Sequence, residues 1–128
     1  MDEMSRVPSN RPWDPVGYSR ATRVGDTIEV AGTTSMLPDG TVLHPGDMYK
    51  QAQECFRIVV EAITQLGGSV ESVVRTRMFL TDITRWEEAG KAHREVFGEV
   101  LPVSSMLEVS QFLNPEFLVE VEARAIVR

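Results

Sequence analysis

Few side chains in this chain are suited to chemistry on a small molecule. Glu120 is a carboxylate that can hold a water or act as a general base if its surroundings raise its pKa. The same residue type also serves as one half of an interface salt bridge, and the sequence leaves both uses open. Tyr18 offers a phenolic hydroxyl to a ligand, or is a strand aromatic with a satisfied hydroxyl. Ser104 and Ser105 supply neutral donors, and Arg77 a cation able to grip a carboxylate or to pair with Glu120 or Glu122. Arg20 and Arg75 are further cations that solvent alone can satisfy. Thr33, Thr34 and Ser35 form a hydroxyl cluster after Gly32, read as a cleft lining or as a plain turn.

Other chemistries lack their parts. His44 falls in a loop and His93 on a helix, and neither has a Cys or His at ligand spacing, so no metal is expected. There is no phosphate-cradling or dinucleotide glycine loop and no Gly-x-Ser-x-Gly nucleophile turn. Cys55, the single cysteine, sits among Ala52, Phe56 and Val59 in a helical pattern and reads as a small buried apolar residue. With no internal disulfide possible, a reducing compartment fits.

The elements that must position these residues come from one domain. A chain of 128 residues, 42% apolar and 25% charged, is long enough for one core. Acidic residues outnumber basic ones, 19 to 13, for a formal charge of -6, and no window is rich in Lys or Arg. Phosphate backbones need a cationic footprint, so no nucleic-acid partner is expected. No apolar run approaches the ~18 residues of a membrane span. Asp2 and Glu3 stand where a leader would be basic and then apolar, so the expected location is the cytoplasm.

Residues 1–16, with Pro8, Pro12 and Pro15 and no periodicity, read as an irregular arm in which Trp13 is either an anchor or exposed. Residues 17–128 read as a single domain. Strands are expected over 18–23 and 27–31 around a Val24-Gly25-Asp26 hairpin, and a turn at 37–41. Asp47 caps a helix running to about Leu66, where Gly67-Gly68 supplies a left-handed stop. A strand over 74–81 follows. Thr84-Arg85-Trp86-Glu87 has the pattern of a capping box opening a second helix. Strands over 106–109 and 117–127 close the order, which predicts an α+β fold with two helices on one face of a mixed sheet.

Strand alternation puts Val119, Val121, Ala123 and Ala125 under the helices and Glu120, Glu122, Arg124 and Ile126 on the other face. Parity assigns Arg75, Arg77 and Phe79, and Ser104, Met106 and Glu108, to that same charged face. Phe79, Met106 and Ile126 would put apolar area in water, which predicts burial of this face against other copies of the chain.

Several segments, in register over about residues 17–127, resemble the Rid family of reactive intermediate deaminases, also called YjgF or L-PSP. They are Gly17-Tyr18-Ser19-Arg20-Ala21, Asp26-Thr27-Ile28-Glu29-Val30-Ala31-Gly32, Leu66-Gly67-Gly68-Ser69, Val73-Val74-Arg75-Thr76, Phe79-Leu80-Thr81-Asp82, Phe97-Gly98, Pro102-Val103-Ser104-Ser105 and Val119-Glu120-Val121-Glu122-Ala123. The first lacks the family's proline before tyrosine. The resemblance implies a chorismate-mutase-like α+β fold, a homotrimer with three clefts between subunits, and neither a metal nor an organic cofactor. In deaminating members a glutamate and a tyrosine at the positions of Glu120 and Tyr18 line the cleft, and an arginine at the position of Ser104 grips the substrate carboxylate. Water then adds to an enamine or imine, releasing ammonia and a 2-keto acid.

Ser104 replaces a bidentate cationic clamp with one neutral donor, a loss on the order of 1.5–3 kcal/mol for a single charged hydrogen bond. The expected site is therefore Glu120 as catalytic residue, with Tyr18, Ser104, Ser105, Arg77, Gly32 and Trp86 binding the ligand. Trp86 walls the pocket in this reading and otherwise makes a helix-to-sheet contact. The expected function is binding of a small carboxylate or carbonyl metabolite, with hydrolysis of an imine, enamine or related C–N bond. A non-enzymatic metabolite-binding or regulatory homotrimer is the alternative. A ribonuclease role would rest on the family label alone.

Overall fold

The computed structural model of the protein describes residues 4–128. Asp2 and Glu3 lie outside the described residues. The strands are β1 (Ser5–Pro8), β2 (Ser19–Val24), β3 (Thr27–Thr33), β4 (Val73–Leu80), β5 (Val103–Glu108) and β6 (Val119–Ile126). The helices are α1 (Met48–Gln65) and α2 (Trp86–Phe97). One six-stranded sheet runs in the order β1-β2-β3-β6-β4-β5. Among the described residues only β4 and β5 pair in parallel, and α2 lies in the crossover such a pair requires. The α+β reading with a mixed sheet and two helices holds.

Local signals act where the residue types place them. Val24 pairs with Thr27 across a two-residue turn, with Gly25 at φ 59°, so β2 and β3 form a tight hairpin. The Asp47 side chain accepts from the Lys50 N–H at 2.9 Å and opens α1. Gly67 takes φ 90° after α1 and its N–H bonds the Thr64 carbonyl. The apolar stripe of α1, including Ala52, Cys55, Phe56, Val59 and Ile63, packs with Val119, Val121, Ala123 and Ala125 of β6 in one core. Cys55 is fully buried there, and burial pushes its thiol pKa up.

Three expectations change. The arm is not wholly irregular, because Ser5–Pro8 pairs with β2 as an edge strand and a short 3₁₀ turn covers Asp14–Val16. Proline ends that pairing rather than preventing it, since an edge strand needs donors on one side only. The capping box at Thr84 does not form. Asp82 instead accepts from the Thr84 N–H at 3.0 Å, caps a 3₁₀ turn, and α2 begins behind it without a side-chain cap. The third change bears on the site. Thr76 lies opposite Ser104, Met78 opposite Met106 and Leu80 opposite Glu108. Ser104, Met106 and Glu108 therefore face the helices, and Val103, Ser105 and Leu107 share the open face with Arg75, Arg77 and Phe79. Alternation fixes which residues share a face but not which face it is. A one-residue change of register exchanges them all.

The open face stays apolar in part after this exchange. Val103, Leu107 and Ile126 are all exposed on it.

Candidate functional site

The antiparallel neighbours β3 and β6 build the floor of a cleft of ≈ 580 Å³. The pairing of these strands shifts register between Val30 and Thr33, and Gly32 stands at that irregularity. The missing side chain there is what admits Glu120. A Cβ on Gly32 would lie 2.7 Å from Cδ of Glu120, inside van der Waals contact. Glu120 makes no side-chain hydrogen bond or ion pair among the described residues. Burial, reinforced by Glu122 and opposed by Arg20, raises its pKa above the ordinary carboxylate value. That is the direction in which a carboxylate shifts when it is set up to exchange protons with a bound water.

Tyr18 forms another wall of the same cleft, with Thr34, Phe117 and Trp13. Trp13 lies edge-on to Phe117, centroids 6.3 Å apart, and donates its indole N–H to the Tyr18 hydroxyl at 2.5 Å. Behind Tyr18 lies Arg20, only 4% exposed. Its Nη1 donates to the Gly32 carbonyl at 3.0 Å and to Thr33 Oγ1 at 2.6 Å, and its Nη2 reaches the Tyr18 oxygen at 3.5 Å. A second buried guanidinium, Arg11, donates to the carbonyls of Met36 and Thr34 at 2.7 and 2.9 Å. Burial and then the Arg20 charge lower the Arg11 pKa. Neither cation has a carboxylate within ion-pair distance among the described residues.

The remaining expected residues stand elsewhere in the single chain. Arg77 pairs with Glu122 at 3.6 Å across the open face, the structural ion pair weighed against a carboxylate clamp. Both are more than a third exposed, so the pair adds little stability. Ser105 is exposed beside it on the edge strand β5. Trp86 is 51% exposed on α2 and walls a separate shallow hollow with Gly90, Lys91 and Arg94. Ser104 points to the helix side, where its Oγ accepts from Thr76 Oγ1 at 2.8 Å. Thr76 in turn lies 2.8 Å from His93 Nε2. His93 packs against Phe56 and Phe97, and burial lowers its pKa, so at neutral pH the ring is uncharged. Thr76 is thus the buried centre of a three-residue chain. Thr76→Val should cost about 1–3 kcal/mol by stranding the His93 nitrogen, read as a drop in the urea midpoint. An unchanged midpoint would mean that the chain contributes nothing to stability.

The family model described as endoribonuclease L-PSP matches residues 9–127. The chain belongs to this family. This L-PSP-family protein is 39% identical to uncharacterized protein SCO2049 of Streptomyces coelicolor over 97% of this chain and 92% of the relative. The crystal structure of Rv2704 from Mycobacterium tuberculosis, a member of the YjgF/YER057c/UK114 family, superposes with a TM-score of 0.87 at 40% identity. That match covers 98% of this chain and 100% of the other. A more distant relative is 3-aminoacrylate deaminase RutC of Acinetobacter baylyi, 24% identical over 94% of this chain and 95% of its own. The YjgF-like fold expected from the sequence is thereby shown.

The cleft of this L-PSP-family chain gathers Tyr18, Gly32 and Glu120 from the expected set. It also holds residues that the sequence did not single out as cleft walls. Trp13 lies between Pro12 and Pro15, where no periodicity reports burial. Arg20 stands behind Tyr18 and not in the wall itself, and its charged type alone suggests solvent. Its hydroxyl and carbonyl partners, Thr33 and Gly32, come from the next strand. The described residues contain no group of three or more His, Cys, Asp or Glu able to hold a metal ion. No helix among them is long and apolar enough to cross a membrane.

Proposed function

We propose that this protein binds a small carboxylate or carbonyl metabolite in clefts between the subunits of a homotrimer and hydrolyses an imine, enamine or related C–N bond there. The observation that carries the reading is Glu120: a carboxylate without a hydrogen-bonding partner, with a raised pKa, seated against Gly32 in a cleft that also holds Tyr18. In this reading Glu120 takes a proton from a water as its oxygen adds to the C=N carbon. The nitrogen is protonated, the C–N bond breaks, ammonia leaves and a C=O bond forms. No cofactor is required by these steps.

In this reading Ser104, in place of the clamping arginine, assigns the chain to a non-deaminating-type branch of the family with an altered site. In an assembled trimer Ser104, Ser105, Arg77 and Trp86 would contribute to binding from a neighbouring subunit. The exposed Val103, Leu107 and Ile126 support burial of that face against other copies. The relative named 3-aminoacrylate deaminase supports the reaction class. The test is ammonia release from 2-aminoacrylate and related imines, wild type against Glu120→Gln. Equal rates would remove catalysis at this site.

A second reading is a non-enzymatic metabolite-binding or regulatory homotrimer. The inward hydrogen bond of Ser104 favours it, since that position then offers a ligand no cation. Ligand-dependent thermal stabilisation without turnover would select it.

A further inference from the structure

Tyr18 has an unusual hydrogen-bonding position. Its oxygen faces two N–H donors, Trp13 Nε1 at 2.5 Å and Arg20 Nη2 at 3.5 Å. A phenol oxygen occupied by donors keeps one hydrogen-bonding function, its own O–H, and that bond can only be given to an acceptor. The donor behind it is a guanidinium that burial holds away from water and that has no carboxylate within ion-pair distance among the described residues. Arg11 adds a second buried cation close enough to interact with the first. A positive charge in a low-dielectric interior stabilises an anion on the far side of a polarised hydroxyl more than a neutral acceptor. Arg20 cannot swing out to do this directly, because Gly32 and Thr33 hold it in place.

We infer that Trp13 and Arg20 are positioning residues that make Tyr18 a dedicated donor to a ligand carboxylate, in place of the clamp that Ser104 does not supply. The ligand read in this way carries a carboxylate and is not a neutral carbonyl compound. The carboxylate binds at the Tyr18 end, and the negative charge of Glu120 keeps it there, with the reacting carbon towards Glu120. This rests on the reading that the ligand occupies the cleft shared by Tyr18 and Glu120.

The test compares 2-oxobutanoate with its neutral amide, 2-oxobutanamide, by titration calorimetry on the full chain. Wild type should bind the acid about tenfold or more tightly than the amide, the size of one charge-assisted hydrogen bond. Tyr18→Phe and Arg20→Gln should bring the ratio close to one, because the acid loses a charge-assisted hydrogen bond where the amide loses only a neutral one. Arg20→Lys should restore part of the preference. A purely structural role would weaken both ligands together. In Trp13→Phe, which keeps the ring against Phe117, the ratio should fall by an intermediate amount. If Arg20→Gln does not fold, Tyr18→Phe decides. A wild-type ratio near one, a ratio that survives Tyr18→Phe, parallel loss of both ligands, or no binding of either would overturn the inference. A wild type that releases no ammonia but keeps the ratio would remove hydrolysis and support the carboxylate reader.

Discussion

Glu120→Gln is expected to slow ammonia release from an imino acid by about 10²- to 10⁴-fold, the range for loss of a positioned general base. The replacement keeps the shape that fits against Gly32, so binding should survive and the loss should fall on kcat rather than KM. A coupled ammonia assay with purified variant measures this, and an undiminished kcat would remove Glu120 from the chemistry. Gly32→Ala tests the same geometry from the opposite strand. Its new Cβ meets the end of a flexible side chain, so β3 should persist while the Glu120 carboxylate is displaced. It should lose activity in the same direction with a normal unfolding midpoint.

The pH dependence has a definite sign. Burial, with Glu122 adding and Arg20 opposing, raises the Glu120 pKa in the folded chain. A base must be ionised, so the acid limb of kcat should lie above that of an ordinary glutamate, about 4.3. Stability follows the same linkage. The folded state holds this proton more tightly than the unfolded state does. The group's stabilising contribution is therefore complete below the unfolded pKa and is lost as pH rises through the folded one. Glu120→Gln should consequently be more stable than wild type at pH 7, with the gap closing towards pH 4. Urea midpoints at the two pH values check it. A gap that widens on acidification would contradict the burial of this carboxylate.

How legible the site was depended on what kind of information each residue carries. Val119 to Ala125 alternate against charged neighbours, so the inward face of β6 and the outward placement of Glu120 follow from the period alone. Asp47 and Gly67 act through backbone chemistry within a few residues, and both appear where expected. Ser104 shows what alternation omits. Its face depends on how the crossover through α2 sets the parallel register of β5 on β4, which is tertiary information. Arg20 and Trp13 fail for a related reason. A buried guanidinium is identified by its partners, and those lie 12 and 13 residues away in Gly32 and Thr33. Asp82 accepts the Thr84 N–H and opens a 3₁₀ turn over Ile83–Arg85, so Thr84 lies inside that turn and Arg85 precedes α2 without a side-chain cap.

Gln51 escaped notice as a polar residue on α1, yet its replacement should have the largest effect on stability. It is fully buried. Its amide nitrogen donates to the carbonyls of Glu116 at 2.9 Å and His44 at 3.2 Å, and its oxygen accepts from the Leu118 N–H at 2.9 Å. One side chain thus satisfies three backbone groups from two segments that have no ladder there. Gln51→Leu preserves volume and strands the Glu116 carbonyl and the Leu118 N–H, while the His44 carbonyl keeps the Asp47 N–H at 3.1 Å. At about 1–3 kcal/mol for each unsatisfied buried group, less the gain from apolar transfer, the net cost should be about 2–5 kcal/mol. That is a large part of the 5–15 kcal/mol typical of a domain. The effect should reach the cleft as well, because the 116–118 segment carries Phe117 into its wall. Hydrogen exchange at the Leu118 amide should accelerate at a denaturant concentration where β6 stays protected. A cost below about 1 kcal/mol would mean that water replaces the lost partners. The segment would then be held by Phe117 packing alone.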